Sequence, residues 1–162
     1  MTSKQDRIDL ESYLSKHVAA EAISSPGVPL LMLTCMDSRY PHRILDTMNS
    51  LGLRGKYDQL ILAGASLGVV HNEGWRNTFM DQLEFAIQHH HVSQVLILDH
   101  RDCGAYKHFL DITPDDPAKE KQAHVEKCEE AAREIIVRFP ELHDKVRALL
   151  LPIETIEELA IG

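Results

Sequence analysis

The sequence predicts an α/β fold: a four-stranded, mainly parallel sheet flanked by helices on both faces. Three observations carry that prediction. Four short apolar runs, at 30–34, 60–63, 94–98 and 146–153, have the length of buried strands. Between them lie segments whose apolar residues recur at helical spacing, and the joining loops are short. Strand and helix alternating in this order give parallel pairs joined by right-handed crossovers. A chain of 162 residues, 44% hydrophobic and 26% charged, suits a single domain over 1–162 with its own core.

Taken in order, the first segment, 5–23, carries Ile8, Leu10, Tyr13, Leu14, Val18 and Ala22 at helical spacing, and Ser24-Ser25-Pro26-Gly27 stops it. This amphipathic helix precedes the first strand and must bury its apolar face, for which a partner subunit is the expected surface. Pro29 marks entry to the first strand, and Pro41 suits the first turn of a short helix running to Met48 and ending near Gly52. The second strand leads into Gly64-Ala65-Ser66-Leu67-Gly68, a turn whose small residues allow close backbone approach. It matches neither G-x-x-x-x-G-K-S/T nor G-x-G-x-x-G, so a phosphate loop is the lesser reading.

From 74 to 90, Trp75, Phe79, Met80, Leu83, Phe85, Ala86 and Ile87 form the stripe of a crossover helix into the third strand. Cys103-Gly104 opens another short helix through Phe109, and 111–117 is a polar loop with prolines. A long charged helix over 118–138 keeps Ala123, Cys128, Ala131, Ala132, Ile135 and Ile136 mostly on one stripe. Residues 146–153 read as the fourth strand, and 154–159 as a short final helix or an ordered tail.

Composition narrows the function classes. Lys and Arg total 17 against 25 Asp and Glu, a net charge of −8 with no basic run, which argues against a nucleic-acid partner. Met1 to Leu10 lack the apolar core of a secretory signal and no stretch approaches the ~20 apolar residues of a membrane span, so a cytoplasmic protein with no membrane partner is expected. Three cysteines without a signal argue for reduced thiols. Cys128, inside the long helix, reads as an inert, partly buried thiol.

The remaining two cysteines lie where strands end, which is where α/β proteins place their chemistry. Cys35-Met36-Asp37-Ser38-Arg39 follows Leu30-Leu31-Met32-Leu33-Thr34, and His100-Arg101-Asp102-Cys103 follows Val95-Leu96-Ile97-Leu98-Asp99. If the two strands are parallel neighbours, two thiols, an imidazole and a carboxylate meet. Cys35, His100 and Cys103 supply the three protein ligands of a catalytic Zn²⁺ site with one open position. Asp37 then fills the fourth position or stands behind a bound water, with Arg39 holding it in a bidentate ion pair. Arg101 and Asp102, between two ligands, are expected to support His100 from behind. The plainer alternatives are a structural zinc site with Asp37 as permanent ligand, or two ordinary thiols without metal. A thiol redox centre would need a C-x-x-C, which is absent.

Cys-x-Asp-x-Arg followed further along by His-x-x-Cys-Gly resembles the β-class carbonic anhydrases. The resemblance implies that Cys35, His100 and Cys103 bind zinc and that Asp37 and Arg39 form the catalytic pair beside it. It also implies an α/β sheet that dimerises, or assembles further, with its leading helix wrapped on a neighbour. The implied activity is reversible hydration of CO₂ to bicarbonate and a proton by a zinc-bound hydroxide. In that family the segment after the second strand lines the substrate pocket and usually reads Arg-Asn-Ala-Gly. This chain has Ala63-Gly64-Ala65-Ser66, so Gly64, Ala65 and Ser66 are the pocket candidates and only Ala65 matches. That departure keeps two alternatives open: hydrolysis of a sulfur analogue, carbonyl sulfide or carbon disulfide, and a non-catalytic zinc-binding member. For moving the proton out, His42, His71, His89, His90, His91 and His108 are all candidates, and spacing selects none of them.

Overall fold

The computed structural model describes residues 10–151 and the backbone of 157–158. Five strands, β1 (Leu30–Cys35), β2 (Tyr57–Leu62), β3 (Gln94–His100), β4 (Val146–Leu151) and β5 (Glu157–Glu158), form one sheet in the order β2-β1-β3-β4-β5. The first four pair in parallel, as expected, and β5 adds an antiparallel edge. The stretch read as a final helix or tail thus contains a strand pair at 157–158; its other residues, with Pro152 and Ile153, lie outside the described part.

Strand alternation divides the core in two. Leu30, Met32, Leu96, Leu98, Leu149 and Leu151 face one side, where Ile44 and Met48 of α3 (Pro41–Ser50) cover them. Leu31, Leu33, Val95, Ile97, Ala148 and Leu150 face the other, beneath α4 (Ser66–His71), α5 (Glu73–His90) and α7 (Pro117–Arg138). A sheet buried on both faces needs continuous apolar runs, and β1 and β3 have them at 30–33 and 95–98. The short α6 (Gly104–Leu110) leaves the end of β3.

The leading helix is α1 (Leu10–Leu14) and α2 (Ala20–Ser24) bridged by a π-helical turn, Ser15–Ala19. Its face, expected on a partner subunit, is covered within the chain: Leu10, Tyr13, Leu14, Val18 and Ala22 pack into the cluster holding Leu30, Leu96 and Leu149. Ile8 lies outside the described residues. The wider π turn resets the helical phase so that residues on both sides of it share one buried face.

Helix ends follow local chemistry. The Asn72 side chain accepts from the Trp75 N–H at the start of α5, and Asp116 accepts from the Lys119 N–H at α7 with Pro117 in the first turn. The turn expected at 64–68 continues into helix α4 instead of remaining a loop. Gly68 makes this possible, because a Cβ there would lie 2.8 Å from the Ala63 carbonyl oxygen and 2.9 Å from Leu62 Cβ. No helix among the described residues is long and apolar enough to cross a membrane.

Candidate metal centre

Parallel pairing of β1 with β3 brings the two motifs together, as their separate positions in sequence required. Register aligns Thr34 with Leu98, so Cys35 leaves the sheet beside Asp99 and His100. β3 runs two residues beyond its expected end because Asp99 and His100 pair with Leu150 and Leu151. Cys103 then caps α6 from outside its first turn. The ligand atoms of Cys35, His100 and Cys103 all lie within 4.8 Å of one another, and the two sulfurs are 3.8 Å apart.

Each donor atom is oriented by a neighbour. His100 Nδ1–H donates to the Arg101 carbonyl at 2.8 Å, which turns Nε2 toward the thiols. Nε2 is buried, stands 3.5 Å from Asp37 Oδ2, and finds no hydrogen-bond partner among the described residues. The Gly64 N–H donates to Cys35 Sγ at 3.2 Å. Tyr40, which no sequence motif singled out, lays its ring against the His100 imidazole with centroids 4.7 Å apart.

Asp37 and Arg39 form the expected bidentate pair: Arg39 Nη2 donates to Oδ2 at 2.8 Å, and Arg39 Nε and backbone N–H donate to Oδ1 at 3.0 and 2.9 Å. Arg39 also donates to the Asp102 carboxylate at 3.0 Å and to its carbonyl at 2.9 Å. Asp102 therefore supports Arg39 more directly than His100. Arg101 faces the other way, donating to Glu120 and to the Pro117 carbonyl, while the Asp102 N–H donates to Glu120 Oε1. Glu120 is buried, and its carboxylate braces the loop between the two ligands.

The electrostatics favour a cation. Cys103 is driven down to about 4, first by the hydrogen bond from Cys35 and then, against its burial, by His100 and the Tyr106 N–H. Cys35 is driven up by that same hydrogen bond and by burial. One proton is thus shared between two thiols. Burial opposes protonation of His100, yet its contacts with Cys103 raise it above the ordinary imidazole range. Asp37 falls to about 2, chiefly through Arg39. Two sulfurs crowded around one proton, beside a buried imidazole nitrogen with no hydrogen-bond partner among the described residues, match the donor set and number of a zinc site with an open position.

The pocket candidates take an unexpected posture. Gly64 has φ +78°, and a Cβ on it would sit 3.0 Å from Leu67 Cβ and 3.1 Å from Ala105 Cβ. Ala65 has φ 45° and ψ −99°, a conformation costing about 1–3 kcal/mol for a side-chain-bearing residue. Ala65 and Ser66 are fully buried. The Ser66 N–H and hydroxyl both donate to the Asp99 carboxylate, at 3.0 and 2.6 Å. The Gly64 N–H goes to Cys35, the Ala65 N–H to the Leu62 carbonyl and the Leu67 N–H to the Gly64 carbonyl, so the first four N–H groups of the turn are engaged within the chain and not free to cradle a phosphate.

Asp99 is the centre of a buried network that sequence spacing did not reveal. Tyr106 OH donates to its Oδ2 at 2.8 Å and His124 Nδ1 at 2.7 Å, with the Tyr106 and His124 rings 3.9 Å apart. Burial alone would raise the Asp99 pKa, but His124 and Ser66 bring it below the ordinary value. Cys128 packs fully buried in the adjoining core, an inert position for a thiol. The one visible hint was a carboxylate directly after the apolar run at 95–98.

The chain is similar to known proteins in sequence and in fold. The profile of the family described as "Carbonic anhydrase" matches residues 30–156. An uncharacterized protein of Rickettsia bellii is 34% identical over 131 residues, covering 79% of each chain. Another, from Rickettsia conorii, is 32% identical over 131 residues, covering 79% of this chain and 69% of its own. Among solved structures, the β-carbonic anhydrase CafA of Aspergillus fumigatus superposes with a TM-score of 0.57 at 17% identity, over 84% of this chain and 77% of that one. A tetrameric β-carbonic anhydrase of Sordaria macrospora gives 0.53 at 16% identity, over 93% and 89%. At such identity these structures speak for the fold.

Proposed function

We propose that this chain, which belongs to the β-class carbonic anhydrase family, holds a zinc ion on Cys35, His100 and Cys103 and hydrates CO₂ reversibly to bicarbonate and a proton. The observation that carries the reading is the convergence of those three donors beside the ionised, Arg39-locked Asp37. Bound there, zinc supplies Lewis acidity that brings the deprotonation of water toward neutral pH, to about 7 in favourable sites.

The chain's own groups do the rest. Arg101 holds His100 in the tautomer that presents Nε2. Asp37, acceptor-only when ionised, takes a hydrogen bond from water at Oδ2 and so fixes which way the water's lone pairs face CO₂. Arg39 keeps that carboxylate from rotating, and Asp102 keeps Arg39 in place. The Gly64 N–H withdraws charge from Cys35, which offsets the donation of two thiolates.

The second reading, hydrolysis of carbonyl sulfide or carbon disulfide, is favoured by one feature. Ser66 turns its hydroxyl onto Asp99, so the segment Ala63 to Ser66 offers the substrate side no polar side chain. A retained metal without turnover is the third. The likeness to tetrameric enzymes supports a homodimer or larger homo-oligomer, and light scattering that returns the 18.3 kDa of one chain would overturn that part.

Stopped-flow CO₂ hydration on protein of assayed zinc content, scanned from about pH 6.5 to 9, tests the reading. Turnover that requires zinc and rises with pH is expected. Stoichiometric zinc with no turnover anywhere in that range rejects CO₂ as substrate and moves the assay to carbonyl sulfide and carbon disulfide.

A further inference from the structure

We infer that Asp99 is a positioning residue of the metal centre: its carboxylate holds the turn at Ala65 in the shape that aims the Gly64 N–H at Cys35 Sγ. The inference rests on the metal-binding half of the proposed function and is independent of the substrate.

Asp99 adjoins, directly or through one partner, the segments that carry all three ligands. It precedes the ligand His100 on β3. Through Ser66 it grips the turn whose Gly64 donates to the ligand Cys35. Through Tyr106 it grips α6, three residues after the ligand Cys103. Through His124 it reaches α7, which also supplies Glu120 to the loop between the ligands.

Two facts distinguish this from ordinary core packing. A carboxylate fully withdrawn from water is rare unless it is paired and hydrogen-bonded, and Asp99 receives donors from three separate elements. The Ser66 bonds also fall immediately after Ala65, which adopts a backbone conformation that a side-chain-bearing residue leaves unless its neighbours hold it. Ser66 is held twice, by its N–H and by its hydroxyl. If that grip is released, Ala65 can relax and carry the Gly64 N–H away from sulfur.

The test uses metal-free wild type, Asp99→Asn, Ser66→Ala and Tyr106→Phe, with zinc affinity read by competition against a chromogenic chelator and the sulfur environment read by Co²⁺ absorption. Asp99→Asn keeps size but replaces an acceptor with an amide that opposes at least one donor. It is expected to weaken zinc binding by about 10–100-fold, the usual effect of losing a group that orients a ligand. Losing the N–H···S bond raises the energy of the sulfur lone pairs, so the thiolate-to-cobalt band should move to longer wavelength. Ser66→Ala should shift it the same way by less, and the double variant should add little to Asp99→Asn.

A folded Asp99→Asn protein with wild-type zinc affinity and an unmoved cobalt band overturns the inference, even if it melts earlier, since that is what a purely structural role predicts. If Asp99→Asn does not fold, the milder Ser66→Ala and Tyr106→Phe decide, and an unmoved band in both overturns it. Wild type that takes up neither metal would remove the proposed function together with this inference, whereas wild type that binds and variants that match it remove this inference alone.

Discussion

The Arg39 guanidinium joins two aspartates, Asp37 two residues away and Asp102 sixty-three residues away. Only the first was legible in the sequence, because Asp-x-Arg is a local spacing, whereas Asp102 comes within reach only when β1 and β3 lie side by side. The pairing carries a pH signature. The Asp37 pKa in the folded chain, about 2, lies below its ordinary 3.8, so the pair's contribution to stability is complete above 3.8 and disappears as pH falls through about 2. Arg39→Ala should therefore destabilise metal-free protein at pH 5, and the gap from wild type should narrow as pH falls across that window. Urea unfolding at pH 5 and at about pH 2.5 measures it. An equal gap at both values would mean that Arg39 acts through something other than the Asp37 charge. Asp99, by contrast, gave no residue-level signal, since its partners Ser66, Tyr106 and His124 stand 33, 7 and 25 positions away with no common period.

Among the elements, the strands and long helices were readable because burial writes a period into sequence, and the exceptions are short. Helix α4 has six residues, too few to show a repeat, and it opens on Ser66 and Gly68, small residues that elsewhere mark a turn. The leading helix was correctly recognised as amphipathic, but amphipathicity names a buried face without naming the surface that covers it. In this fold the surface is the chain's own sheet, with Leu14 fully buried against it. Leu14→Ala should then cost about 2–5 kcal/mol of unfolding free energy, the range for a buried leucine truncated to a cavity. Its light-scattering mass should remain that of wild type. A drop in mass with little loss of chain stability would place the helix between subunits instead.

At the scale of the whole molecule, the two core clusters on either face of the sheet hold the strands in register, and of the three ligands only Cys35 packs at the edge of the larger one. The chain should therefore fold without metal, and zinc should raise the stability of a fold already formed. The site still joins the end of β1 to the end of β3 and the start of α6. An ion bound only by the folded state stabilises it by about 4 kcal/mol at a free concentration 1,000 times its dissociation constant. At about 2–4 °C per kcal/mol for a chain of this size, zinc should raise the melting temperature by about 8–16 °C. Chelation should reverse the rise, and Cys35→Ser should lose most of it while keeping the far-ultraviolet spectrum of the metal-free wild type. Because Cys35 and His100 must shed protons before they can bind a cation, the rise should also shrink as pH falls. A metal-free chain without helical signal would show instead that zinc is needed to bring β1 and β3 together, and the packing of the two clusters argues against that.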